Sequence, residues 1–206
     1  MNFRFALLAA GTLWVVLGEP ISATSRRKVL HPIADQVTTA AIDLANAAIQ
    51  TRVPADGQIE IAFAPLPERS AERLVIKVID AAQVSVFMAA YGMTSKPIAD
   101  AMCDAAARGI AVSAVLDDKS NHHGDTKSKR DYMSACGVAV RTDARYPIMH
   151  DKFIVVDGQH VETGSFNYTF AAAQRNAENA LVVWNNPLMA GKYTSEFDRL
   201  FAEAAD

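Results

Sequence analysis

The segment from His150 to Asn179 holds the residues best suited to chemistry. His150 and Lys152 are two apart, and the apolar, β-branched run Phe153–Val156 predicts a strand over Met149–Val156. Side chains two apart on a strand point the same way, so an imidazole and an ammonium would stand side by side. Asp157-Gly158 then reads as a hairpin turn and His160–Thr163 as the returning strand. That strand ends in Gly164-Ser165-Phe166-Asn167, where Ser165 and Asn167 can face one space. Gly164 has no side chain and would let a ligand approach the backbone. A helix starting near Asn167 would add free amides. A nucleophilic ring, a cation, a hydroxyl, an amide and a helix N-terminus converging in this way suit a phosphate.

The rest of the chain must position these groups. Gln58–Ala64 alternates apolar and polar residues, as a strand does. Ser70–Gln83 repeats its apolar residues every three or four positions, as an amphipathic helix does. Val84–Tyr91 and Ile110–Leu116 are apolar strands. Between them, Thr94 or Ser95 caps a helix that runs to Arg108 and stops at Gly109. A helix over Asp125–Cys136, a stop at Gly137 and a strand at Val138–Val140 follow. Asn185-Asn186-Pro187 opens a final helix whose Tyr193, Phe197, Leu200 and Phe201 pack back on the sheet. Strands alternating with helices predict a single α/β domain with a mixed, mostly parallel sheet flanked by helices.

The N-terminus stands apart from that domain. Met1–Arg4 carries one positive charge, Phe5–Gly18 is an apolar run, and Glu19–Ala23 breaks it and ends on a small residue. This is the layout of a signal peptide over residues 1–23, with a periplasmic or secreted product. The run is shorter than the ~20 residues of a membrane span, so no stable membrane insertion is expected after cleavage. Residues 24–57 read as a helical extension and linker, and 58–206 as the main domain. Export would allow Cys103 and Cys136 to pair, although spacing alone does not say whether they meet. The formal charge of −3 excludes coating of nucleic acid by bulk charge, so any polyanion surface must be local.

The arrangement His150-x-Lys152-(x)4-Asp157-(x)6-Gly164-Ser165-x-Asn167 resembles the HKD signature of the phospholipase D superfamily. The flanking Arg141-Thr142-Asp143, Tyr146-Pro147-Ile148 and Asn176-Ala177-Glu178-Asn179 are similar to the small bacterial endonucleases of the Nuc type. The resemblance implies a phosphodiesterase that needs no metal or other cofactor and works through a phosphohistidine. His150 would attack phosphorus, Lys152, Ser165 and Asn167 would hold the non-bridging oxygens, and Gly164 would support them. A carboxylate, Glu178 or Asp157, would orient the nucleophile. Asp157 stays open between the chemistry and the turn, since Asp-Gly is also a favoured hairpin pair.

The mechanism needs a second histidine as acid, yet His31, His122, His123 and His160 all lack a lysine two residues on. A homodimer with the site at its two-fold interface is therefore expected, as in the family. Nucleic acid (DNA, or RNA as well) is the expected substrate, with a phosphatidylcholine-type lipid as the alternative. A non-catalytic binding module would have no need of a positioned nucleophile. His122-His123 with Asp117, Asp118 and Asp125 lacks clear metal-ligand spacing and reads as a polar loop. Lys119, Lys127, Lys129 and Arg130 could follow a nucleic-acid backbone or form an ordinary solvated helix.

Overall fold

The computed structural model describes residues 57–65 and 70–205. The expected signal peptide, and the helical extension apart from Gly57, lie outside them. The chain runs β1 (Ile59–Ala64), α1 (Ser70–Asp80), β2 (Ser85–Ala90), α2 (Lys96–Ala107), β3 (Ala111–Asp117), α3 (Arg130–Ala135) and β4 (Ala139–Asp143). It continues through β5 (Lys152–Val156), β6 (His160–Gly164), α4 (Phe170–Gln174), β7 (Glu178–Val183) and α5 (Pro187–Glu203). One seven-stranded sheet results, in the order β1-β7-β6-β5-β2-β3-β4.

The sheet is mixed, but it is not mostly parallel as expected. Only β2–β3 and β3–β4 pair in parallel. The β5–β2, β6–β5, β7–β6 and β1–β7 pairings are antiparallel. A parallel neighbour needs a long crossover, which α2 and α3 supply. The connection between β5 and β6 is too short for that, and the chain folds back on itself there. At Asp157-Gly158 both central residues have positive φ (55° and 63°), and the Gln159 N–H donates to the Val156 carbonyl, as in a two-residue hairpin.

Each face of the sheet has its own core. One face packs Val86, Met88, Ala114, Leu116, Ile154 and Val182 under α1 and α2. In α1, Ala71, Leu74, Val75, Val78 and Ile79 form the buried stripe, at spacings of three and four. Ser95 caps α2 by accepting from the Ile98 N–H. The other face buries Ala89, Val115, Phe153, Val155 and Val161 beneath Phe197 and Leu200 of α5. Asn186 caps α5, accepting from the Met189 N–H.

Two expected helices are shorter than their sequence suggests. Asp125 to Lys129 is not helical, because polar side chains there compete for the backbone. Asp131 accepts the Gly124 N–H, and Asp125 accepts the Lys127 N–H. After Asn167 no helix begins until Phe170, with Thr169 as cap, and it lasts five residues. The helix N-terminus expected near Asn167 is therefore not part of the site. Cys103 and Cys136 form a disulfide that ties α2 to the end of α3. Closing a loop of separation 33 restricts the unfolded chain and stabilises the fold by about 3–4 kcal/mol.

Candidate active site

The site lies where β5 begins, β6 ends and β7 begins. Lys152 pairs with Ala90, Phe153 with Thr163, and Gly164 with Ala180, so the register brings these strand ends together. A cavity of about 540 Å³ opens there. His150, Lys152, Ser165, Asn167 and Glu178 form one part of its lining, and Asp151, Phe153 and Tyr193 another.

The structure places the expected imidazole and ammonium together, although His150 precedes the strand instead of lying in it. The Lys152 Nζ is 3.1 Å from His150 Nδ1 and donates to the His150 carbonyl at 2.7 Å. An ammonium has no acceptor, so Nδ1 accepts from it and the neutral ring keeps its proton on Nε2. Burial pulls the Lys152 pKa down, while the negative charges of Asp151 and Glu178 push it back up. Burial raises the Asp151 pKa, aided by Glu196 and opposed by Lys152, Arg199 and His150.

Ser165 and Glu178 form a second cluster. Ser165 Oγ donates to Glu178 Oε2 at 2.7 Å and accepts the Asn179 N–H at 3.1 Å. The Asn176 side-chain amide donates to Glu178 Oε1 at 3.0 Å. Asn167 lines the same cavity, and its Oδ1 is buried without a hydrogen-bond partner. Glu178 thus braces the serine. Among the described residues no carboxylate is bonded to His150 Nδ1, which Lys152 occupies.

One expected site residue, Asp157, acts elsewhere, and another, Gly164, has a structural role as well. Asp157 sits at the far end of β5, five residues beyond Lys152 and hence about 17 Å along the strand. Its carboxylate accepts the backbone N–H groups of Gln83, Val84 and Ser85 at 2.7–2.9 Å, locking the α1–β2 turn to the β5–β6 hairpin. The structure does not bring it to the cavity. Asp157→Ala loses three hydrogen bonds and a residue type tolerant of positive φ. Unfolding in urea is expected to show a loss of about 2–4 kcal/mol, with kcat of the folded fraction preserved. Gly164 lines the cavity, but a Cβ there would lie 2.2 Å from the Asn179 carbonyl oxygen. The absent side chain makes room for β7.

Sequence reasoning missed the residues that brace His150 from β2 and β3. The Tyr91 ring packs 4.9 Å from the His150 ring, and Lys152 Nζ lies 5.7 Å from the Tyr91 centroid. Asn121, fully buried, donates to the Tyr91 carbonyl and accepts the Met93 N–H. Asp117, also buried, accepts the Met149 N–H through Oδ2 and the Ser120 N–H through Oδ1. Asp117 thereby holds the residue immediately before His150. The only signal for this in the sequence was a carboxylate at the end of an apolar strand. Among the described residues, no group of three or more His, Cys, Asp or Glu could hold a metal ion.

Glu162 was also missed. It lies wholly buried on β6, and the Tyr168 hydroxyl donates to its Oε2 at 2.6 Å. Burial pushes its carboxyl up to about 8. The Tyr168 carbonyl in turn accepts the N–H groups of Thr94 and Ser95, which holds down the far end of the segment carrying Ser165 and Asn167.

Comparison with known proteins agrees with this geometry. The solved structure of Nuc, a phospholipase D family member from Salmonella typhimurium, is similar at a TM-score of 0.69 and 37% identity, over 73% of this chain and 98% of that one. A phospholipase D of Rickettsia bellii is 39% identical over 117 residues, 57% of each protein. The mitochondrial cardiolipin hydrolase of Xenopus tropicalis is 34% identical over 140 residues, 68% of this chain and 65% of that protein. The chain therefore spans just under two thirds or less of the lengths of these last two relatives. The family model for the cardiolipin synthase, PLD-like domain matches residues 75–201, most of the domain described above, and the chain belongs to the phospholipase D-like superfamily of phosphodiesterases.

Proposed function

We propose that this protein is an endonuclease that hydrolyses DNA through a phosphohistidine at His150 and without a divalent ion. The observation that carries the reading is the Lys152–His150 contact at a cavity that also holds Ser165 and Asn167. An incoming phosphodiester offers Lys152 anionic oxygens in exchange for Nδ1, which frees the ring. His150 attacks phosphorus, the bond to the leaving oxygen breaks, and a second, protonated histidine gives that oxygen its proton. The same histidine then takes a proton from water, which attacks the phosphohistidine and releases the product. Lys152, Ser165 and Asn167 stabilise the non-bridging oxygens throughout.

The second histidine comes from another copy of the chain. Among the described residues no other histidine contacts His150, and His160 is buried at the opposite end of β6, accepting the Asn185 N–H. A two-fold dimer joining two copies of the site supplies the acid. Export to the periplasm or medium is supported by the signal-like N-terminus and by the Cys103–Cys136 bond.

Similarity to Nuc, matched over 98% of its solved chain, together with the Nuc-like residues flanking the motif, favours nucleic acid. Phospholipid hydrolysis is the second reading, favoured by the apolar Ile148 exposed two residues before His150. The test is incubation with plasmid DNA and with phosphatidylcholine vesicles, both in excess EDTA. Nicking without choline release is expected. Choline release alone overturns the substrate assignment, and loss of nicking on chelation overturns the metal-free mechanism. Full activity from a sedimenting monomer contradicts the shared site.

A further inference from the structure

Several basic side chains of the described domain face carboxylates. Lys77 pairs with Glu60, Lys96 with Asp100, Arg130 with Asp131, and Arg199 with Glu196 and Glu203. Lys119 is different. It is exposed, and the one partner of its ammonium among the described residues is a neutral atom, the Pro147 carbonyl oxygen at 3.2 Å. Arg145 is exposed on the same β4–β5 connection, and only its backbone N–H is engaged, by Asp143 Oδ1.

Lys119 is held close to the nucleophile, and Arg145 precedes His150 by five residues on the adjoining connection. Pro147 is three residues from His150, so their Cα atoms are no more than about 11 Å apart. Lys119 follows Asp118, whose N–H donates to the Asp143 carbonyl, and precedes Ser120, whose N–H donates to Asp117. The same Asp117 carboxylate holds Met149. The backbone under Lys119 and the backbone under His150 are therefore tied through one buried group, and neither can drift far from the other.

We infer that Lys119 and Arg145 form a clamp for backbone phosphates flanking the scissile one, and so select a polynucleotide strand over a lone diester. Successive phosphates on one strand rise only about 3.4 Å, so the neighbours of a phosphate at His150 fall within the reach of these side chains. A phosphatidylcholine headgroup carries a single phosphate and offers the clamp nothing. This inference rests on the nuclease reading and narrows it, locating the local basic surface that a chain of net charge −3 requires.

The test compares the purified protein with its Lys119→Ala/Arg145→Ala variant on a single-stranded oligonucleotide and on bis(p-nitrophenyl) phosphate, which has no flanking phosphate. On the oligonucleotide, kcat/KM at low salt is expected to fall at least tenfold. The slope of log(kcat/KM) against log salt should flatten by about 0.7 for each cation removed. The rate on the small diester should change less than twofold. An unaltered salt slope overturns the clamp while leaving the nuclease intact. An equal fall on both substrates also overturns it, because the two side chains would then act by positioning His150. Wild-type protein that cleaves the small diester but no nucleic acid overturns the nuclease reading and the clamp together.

Discussion

Replacing His150 with alanine is expected to lower phosphodiester cleavage by at least about 10³-fold while leaving the fold intact. The imidazole is exposed and lies ahead of β5, so its loss opens no core cavity. Lys152→Ala is expected to cost about 10²–10³-fold in kcat through lost stabilisation of the non-bridging oxygens. Lys152 is also largely buried and bonded to the His150 carbonyl, so that variant should lose some stability as well. Nicking assays in EDTA, with thermal unfolding of each variant alongside, separate the two effects. Quenching turnover of a labelled diester with alkaline denaturant, in which a phosphorus–nitrogen bond survives, should place the label on a histidine nitrogen. Label on Ser165, or a His150→Ala protein keeping more than about a tenth of wild-type activity, would contradict covalent catalysis at this position.

The second large effect concerns stability. The Glu162 carboxyl is raised from 4.5 to about 8 in the fold, and burial is the cause. Below pH 4.5 it is protonated in both states and contributes no pH dependence. Between 4.5 and 8 the unfolded chain releases a proton that the folded chain retains, so stability falls as pH rises. The slope approaches about 1.4 kcal/mol per pH unit, and the total is on the order of 4 kcal/mol. Above 8 the loss is complete. Glu162→Gln keeps an acceptor for the Tyr168 hydroxyl and has no proton to lose. Its stability should be flatter across this range and should exceed that of the wild type at pH 8. Urea unfolding at pH 5, 6.5 and 8 reads this directly, and parallel curves for the two proteins would refute it.

The chemistry was legible where spacing alone decides which side chains meet. Residues two apart could be expected to face one space, and His150 with Lys152 and Ser165 with Asn167 do line one cavity, although His150 lies just before β5 and Ser165 and Asn167 just after β6. The hairpin at Asp157-Gly158 was equally local. What could not be read depended on partners distant in the chain. Asp157 reaches back to Gln83, Val84 and Ser85, and Gly164 answers to the backbone of Asn179. Asp117, Asn121 and Tyr91 brace His150 only because β5 inserts beside β2, a pairing that local pattern does not encode. The same insertion explains why the sheet seemed more parallel in the sequence than it is. Helix–glycine–strand steps announce the β2-β3-β4 half, whereas the antiparallel half is assembled from strands whose neighbours are set by the core. Asp125 to Lys129 is not helical because the Asp125 carboxylate binds the local backbone instead of standing in solvent.

The Tyr91 ring against the imidazole has a spectroscopic consequence. Circulating π-electrons shield protons held above a ring face and deshield those at its edge, so the carbon-bound protons of His150 should resonate away from their random-coil positions. Among the described histidines, His160 lies against Trp184, while no ring contact is found for His122 or His123. In a nuclear magnetic resonance spectrum His150 and His160 would thus stand apart from His122 and His123, and the signal lost in His150→Ala would identify the nucleophile in the intact protein.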